Sequence, residues 1–141
     1  MPELPEVETV KESLKQLILE KKIKNVQIYY DKIIKNCSTS EFQEALVNET
    51  FRDIKRVGKF LILILDNKTI VSHLRMEGKY FLRHDEDRSK HEHIIFNFTD
   101  GTNLRYHDVR KFGTMHLYST TNIDDILKEE PLNKVAIDPL D

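Results

Sequence analysis

The sequence has a single cysteine, Cys37. That excludes an internal disulfide and also the Cys-rich zinc sites that need two to four thiolates, and it leaves redox chemistry without a dithiol. The four prolines, Pro2, Pro5, Pro131 and Pro139, all sit near the ends, so no proline interrupts a sheet ladder between them. Long hydrophobic runs are missing too. The longest, Phe60 to Leu65, is far too short to cross a bilayer, and the N-terminus carries acids where a signal peptide would carry Lys or Arg. These absences predict a soluble, cytoplasmic chain without membrane partners. Excess positive charge is also lacking: 22 Lys and Arg stand against 24 Asp and Glu, a formal net charge of −2. Nucleic-acid binders usually show a basic stripe or a high pI, so any function on DNA must rest on local geometry or on a basic part outside these residues. What is present, 39% hydrophobic and 33% charged residues over 141 positions, suits one domain able to bury most of its unfolded surface.

After Pro5, apolar residues fall at Val7, Val10, Leu14, Leu17 and Ile18, with Glu6 and Glu8 in the first turn where the helix dipole favours acids. The spacing predicts an amphipathic helix of about four turns. Ser40 to Val47 opens with a capping-type Ser followed by Glu and reads as a second short helix. From Thr50 the pattern changes to β-type runs at Phe60 to Leu65, Thr69 to Leu74, Lys79 to Leu82, Ile94 to Phe98, Leu104 to His107 and Thr114 to Tyr118. Asp66-Asn67-Lys68 and Asp100-Gly101 separate neighbouring runs as hairpin turns would. His84 to Lys90 has the polar, charged make-up of a mobile loop, and Asp124 to Glu129 suits a last helical turn or two. The expectation is a mainly β chain with flanking helices: a two-layer antiparallel β-sandwich whose N-terminal amphipathic helix covers an open edge or end.

The opening Met-Pro-Glu-Leu-Pro-Glu bears on chemistry. Removal of the initiator Met would expose Pro2 as a free secondary amine. A terminal amine titrates near ~7.7–8 against ~10.4 for Lys, so a useful fraction is neutral and nucleophilic at cellular pH. Attack by such an amine on the anomeric carbon of a nucleotide displaces the base and leaves an iminium that permits strand cleavage by elimination. Glu3, next in sequence, is a carboxylic acid within reach of a departing base that needs a proton. On spacing alone, though, Pro2 is more commonly a processing-friendly second residue, and Glu3, Glu6 and Glu8 are commonly acids matched to the helix dipole.

Four segments in order alter that balance: Pro2 to Glu8 (PELPEVE), Arg56 to Leu61 (RVGKFL), His73 to Gly78 (HLRMEG) and Asp108 to Gly113 (DVRKFG). The sequence resembles the formamidopyrimidine-DNA glycosylases, bacterial enzymes that excise oxidised purines such as 8-oxoguanine, and the resemblance runs over the whole chain. Leu4 and the Val7-Glu8 pair favour this branch over the related endonuclease VIII branch. The resemblance implies a bifunctional glycosylase and lyase of base-excision repair, with Pro2 as nucleophile, Glu3 as general acid/base, Lys59 as proton donor or phosphate anchor beside the lesion, and Glu6 supporting the site. The Arg56 to Leu61 segment looks like the family's catalytic-lysine strand, His73 to Gly78 like its void-filling loop and Asp108 to Gly113 like its wedge loop. His73, Met76, His91, Arg110, Lys111 and Phe112 are thereby carried over as contacts to damaged double-stranded DNA, in a protein expected to be monomeric.

The sequence also departs from the family pattern. Where the N-terminal domain of relatives usually closes on Leu-Gly-Pro-Asp/Glu-Pro-Leu, residues 135–140 read Val-Ala-Ile-Asp-Pro-Leu. The residues at hand match only the N-terminal catalytic half, before the helix-two-turn-helix and the four-cysteine zinc finger of relatives. No cofactor is therefore expected in this chain, and weak or absent activity is expected of the half alone.

The loop residues also make physical sense without the family. Turning a nucleotide out of the stack leaves a hole that costs a few kcal/mol unless something fills it. Met76 is flexible and apolar enough to enter it, Phe112 can wedge between base pairs, and Arg110 can hydrogen-bond the orphaned base. Charges and glycines flank Met76 and Phe112, which suits loop tips better than core strands. His91 and His93 alternate around Glu92, as two residues on one strand face would, and with His107 or Asp108 they can be drawn as a metal site. No helical His-Glu-x-x-His spacing supports that drawing. The resemblance instead makes His91 a phosphate or strand-separation contact near Arg110, and His93 an ordinary sheet residue. Two competing readings stand beside the enzyme: a DNA-binding or regulatory module of the same fold that does no chemistry, and an unrelated β-sandwich hydrolase with a His-based metal site.

Overall fold

The computed structural model describes residues 4–134. Pro2, Glu3 and the 135–140 stretch lie outside the described residues. Helix α1 spans Leu4–Ile18 and buries Val7, Leu14 and Ile18, with Val10 partly buried, but Leu17, expected in the same stripe, is exposed. Helix α2 runs Thr39–Leu46, and its cap is Ser38 rather than Ser40. The Ser38 hydroxyl accepts from the Glu41 N–H at 3.0 Å while the Glu41 carboxylate accepts from the Ser38 N–H at 2.9 Å. That reciprocal box needs a three-residue spacing, which adjacent Ser40 and Glu41 cannot offer. Helix α3, Ile123–Leu127, is capped by Asn122.

Among the described residues, eight strands form two antiparallel four-stranded sheets: β1 (Ile23–Ile28), β2 (Asp53–Val57), β3 (Phe60–Ile64), β4 (Thr69–His73), β5 (Lys79–Arg83), β6 (Glu92–Phe98), β7 (Asn103–His107) and β8 (Thr114–Tyr118). One sheet has the order β1-β6-β7-β5 and the other β2-β3-β4-β8. The expected sandwich is thus present, with two strands the sequence reading did not contain. In β1 the apolar residues are not strictly alternating, and a bulge between Ile23 and Asn25 breaks the register with β6. In β2 only Ile54 and Val57 are buried, and its charges meet ionic partners: Arg56 Nε lies 3.0 Å from Glu8 of α1, and Asp53 is 3.9 Å from Lys15. A charged edge strand covered by a helix shows little alternation.

The core lies between the sheets, where Phe51 meets Phe96 and Phe98 edge-on at 6.2 and 6.0 Å and Phe42 packs on Phe96 at 6.3 Å. Edge-to-face aromatic packing adds about 0.5–1.5 kcal/mol per pair beyond burial. Helix α1 packs against β2 and β3 of one sheet and β5 of the other, so it covers the open edges β2 and β5 on one side of the sandwich. The 84–90 segment is a loop as expected, but it is tied down. Buried Arg105 donates to the Glu86 and Asp87 carbonyls at 2.5 and 3.3 Å and pairs with Glu92 at 2.9 Å.

Candidate DNA-facing site at one end of the sandwich

Lys59 does not lie within a strand, as the resemblance implied, but just before the β-type run that begins at Phe60, in the two-residue turn between β2 and β3. Val57 pairs with Phe60, leaving Gly58 and Lys59 as the turn, with Gly58 at φ 58°. Glycine at the first turn position is what a tight hairpin of this kind selects. The registers then fix which residues share this end of the sheet: Phe60 opposes His73, and His73 opposes Thr114. The Lys59 turn, the loop after β4 and the loop before β8 are therefore neighbours. The Arg56–Glu8 ion pair brings the N-terminal part of α1 to the same end. Exposed Glu6 lines a cavity of about 340 Å³ together with Gly78, Lys79 and Tyr80.

His73 is buried, its ring edge-on to Phe60 at 4.6 Å. Its Nδ1 accepts the Arg75 N–H at 3.0 Å, so the neutral ring carries its proton on Nε2. Burial, reinforced by the charges of Arg75 and Lys59, pulls its pKa down to about 4. Only Nε2 remains for any contact beyond the fold.

The loop from Leu74 to Gly78 is closed by the Gly78 N–H on the Leu74 carbonyl at 2.9 Å, and Arg75 sits at φ 56°. In the second loop Lys111 sits at φ 62°. A left-handed conformation in a residue other than glycine is held by its surroundings. Here the holder is Asp108, which is fully buried. Its carboxylate accepts from the Lys111 N–H at 3.0 Å, the Gly113 N–H at 2.8 Å and the Tyr106 hydroxyl at 2.8 Å. Between them the two loops hold three large hydrophobics in water: Met76 59% exposed, Val109 49% and Phe112 60%. Arg110 reaches across, its Nε 3.7 Å from Glu77 of the first loop. Lys111 folds back, with Nζ 4.9 Å from the centre of the Tyr30 ring.

The histidines do not converge on a metal. His91 lies just before β6, and a bulge in that strand's pairing with β7 follows at Glu92, so the expected single face for His91 and His93 is not kept. The His91 ring is edge-on to His107 at 5.6 Å, and its carbonyl accepts the Asp108 N–H at 2.9 Å, which seats it beneath the second loop. His93 is a buried sheet residue whose Nε2 lies 2.7 Å from the Asp108 carbonyl. Among the described residues no group of three or more His, Cys, Asp or Glu could hold a metal ion.

A model of the formamidopyrimidine-DNA glycosylase N-terminal domain matches residues 1–115. The chain belongs to this family. It is 50% identical over 143 aligned positions to the formamidopyrimidine-DNA glycosylase of Bacillus anthracis, covering 100% of this chain and 51% of that protein. It is 46% identical over 144 positions to the Mycoplasma pneumoniae enzyme of the same name, with the same coverage. The fold matches Lactococcus lactis Fpg in complex with abasic-site DNA at a TM-score of 0.83 and 39% identity, over 89% of this chain and 47% of that one. A wild-type Lactococcus lactis Fpg complex with DNA containing an oxidised pyrimidine matches at 0.83 and 40% identity, over 89% and 47%. The chain spans about half the length of the curated relatives it matches. Sequence reasoning missed Asp108 and Tyr106 as organisers of the second family loop and Val109 as part of its apolar tip. An Asp at the head of a tight turn is itself a turn signal and would have found Asp108.

Proposed function

We propose that this chain is the catalytic N-terminal domain of a base-excision repair DNA glycosylase and lyase acting on oxidised purines in double-stranded DNA. The observation that carries the reading is the gathering, at one end of the sandwich, of the Lys59 turn, the N-terminal end of α1 and two loops whose Met76, Val109 and Phe112 are held in water. Exposed apolar side chains set among Arg75, Arg110 and Lys111 suit a target that is apolar inside and anionic outside, as a base stack flanked by phosphates is.

In this reading Met76 fills the space of the extruded nucleotide, Phe112 wedges beside it, and Arg110 leaves Glu77 to meet the orphaned base. His91 and Lys111 add phosphate contacts, with His73 Nε2 as a further donor. The Pro2 amine bonds to the sugar's anomeric carbon as the bond to the base breaks. The electron pair leaves with the base, which takes its proton from Glu3. The amine then loses its proton and the bond from the anomeric carbon to the ring oxygen breaks, the oxygen taking that electron pair and a proton; the iminium so formed acidifies the adjacent sugar carbon. Loss of that proton expels the 3′ phosphate, and a second elimination expels the 5′ phosphate. Lys59 donates a proton or anchors the flanking phosphate, and Glu6 supports the site. No cofactor enters these steps, and the protein acts in the cytoplasm as a monomer. The family's close relatives are bacterial, and among the described residues no helix is long and apolar enough to cross a membrane.

An abasic oligonucleotide incubated with saturating protein tests the reading. Slow strand cleavage to elimination products, in keeping with weak activity of the half alone, is the expected result; binding without any cleavage would favour the alternative of a chemically silent DNA-binding module.

A further inference from the structure

The two loops share one buried anchor. The Tyr106 hydroxyl lies where a Cβ on Gly113 would stand 1.6 Å away and a Cβ on Gly78 would stand 2.6 Å away. It therefore touches the last residue of the second loop and the last residue of the first. Only residues without a Cβ permit so close an approach. The same hydroxyl donates to Asp108 Oδ2 at 2.8 Å, and that carboxylate takes the Lys111 and Gly113 N–H groups. Beneath it, Tyr80 packs on Tyr106 with ring centres 5.2 Å apart, and its own hydroxyl lies 2.7 Å from Ser72 of β4, the strand that feeds the first loop. Burial first, then the neighbouring Tyr80 and Asp108, pushes the Tyr106 phenol well above its ordinary range, so it remains a hydrogen-bond donor.

We propose that the Tyr106 hydroxyl and the Asp108 carboxylate form a common mount for both loops, positioning residues that hold Met76 and Phe112 in mutual register for entry into a duplex. The inference rests on the duplex-opening reading above. The two loops connect the same pair of sheets, and their stems already pair at His73–Thr114 and Lys79–His107; beyond those pairs the loop residues themselves need a tie of their own. The mount ties their bases together, while the Arg110–Glu77 pair spans them near the tips.

Amide hydrogen exchange on the folded chain tests the mount without DNA. Tyr106→Phe keeps the ring and removes the shared oxygen. Exchange should quicken by about tenfold or more in both 74–78 and 108–113 while β3 stays protected, as expected for a locally opened unit. Acceleration in the second loop alone, or in neither, overturns the proposal. Asp108→Asn keeps the shape and should give the same paired response, so either variant decides if the other does not fold. In the unmutated chain, nuclear Overhauser contacts from the Tyr106 ring to both Gly78 and Gly113 are required, and absence of either set overturns it whatever the variants do.

A DNA arm separates this failure from failure of the underlying reading. Affinities are compared for a duplex bearing a tetrahydrofuran abasic analogue and for the same strand alone. Tyr106→Phe should lower the duplex-to-single-strand ratio about tenfold, and adding Met76→Ala should lower it less than about twofold further, because coupled positions are non-additive. If Met76→Ala lowers the ratio and Tyr106→Phe does not, the proposal is overturned. If Met76→Ala alone leaves it unchanged, the duplex-opening reading fails, and with it the role given to the mount.

Discussion

His73 shows how a single residue can make the site sensitive to pH. Its pKa is lowered from 6.5 to about 4, first by burial and then by Arg75 and Lys59. Between those values the unfolded chain takes up a proton that the folded chain refuses, so stability falls as pH drops from 6.5 toward 4 and this contribution changes no further below that. At ~1.4 kcal/mol per unit the effect amounts to no more than about 3.5 kcal/mol. Nitrogen NMR should find the His73 ring neutral at pH 5.5, with its proton on Nε2. A ring titrating with an ordinary histidine midpoint would contradict the buried, Nδ1-accepting geometry. Gly113 makes a steric counterpart. Gly113→Ala would push a methyl to 1.6 Å from the Tyr106 hydroxyl, and thermal or urea melts should register a loss of about 3 kcal/mol, the upper end of ordinary overpacking. Neutral behaviour there would mean that the loop does not close on Tyr106.

At the scale of elements, the two loops are predicted to act only where there is a stack to open. Met76→Ala and Phe112→Ala should each reduce processing of duplex DNA while leaving Schiff-base formation on single-stranded abasic DNA nearly intact. Equal losses on both substrates would show that these side chains serve the fold or the nucleophile. In this domain joined to a C-terminal half, Arg110→Ala should weaken discrimination among opposing bases by ~1–3 kcal/mol, the worth of a good bidentate contact. That loss is read from excision rates on duplexes differing only in the base opposite the lesion. What the sequence disclosed at this scale followed a physical rule. Helix α1 was legible because its apolar residues repeat with the helical period, and strands β3 to β8 because short runs rich in β-type residues, some of them separated by turn residues, mark them whether or not they alternate. Strand β1 hid behind a bulge, and β2 behind charges that answer Glu8 and Lys15 across the chain. Met76 and Phe112 were legible as loop tips from their charged and glycine neighbours. Asp108 carried a turn signal that could have been read, but Tyr106 did not, because its role exists only once β7 brings it under both loops.

For the whole molecule, a net charge of −2 leaves little long-range attraction for DNA, so binding has to come from the few cations gathered at one end. The slope of log affinity against log salt, at ~0.9 per neutralised phosphate, should report fewer than about four contacts. A steep slope with nanomolar affinity at physiological salt would show that the residues at hand grip DNA far more extensively than their charge suggests. In the proposed function, chemistry and duplex opening share one small surface of the sandwich. Sheet register brings the ends of β2, β3, β4 and β8 together, and α1 covers two sheet edges while its Glu8 reaches Arg56 at that end. The central claim is that the chain's own second residue is the nucleophile, and borohydride trapping tests it most directly. With abasic DNA and the processed N-terminus free, reduction should yield one covalent protein–DNA adduct that peptide mapping places on Pro2, and retention of Met1 or an N-terminal tag should abolish it. An adduct that persists in Pro2→Gly and maps to a lysine, or that forms unchanged with Met1 in place, would contradict the account.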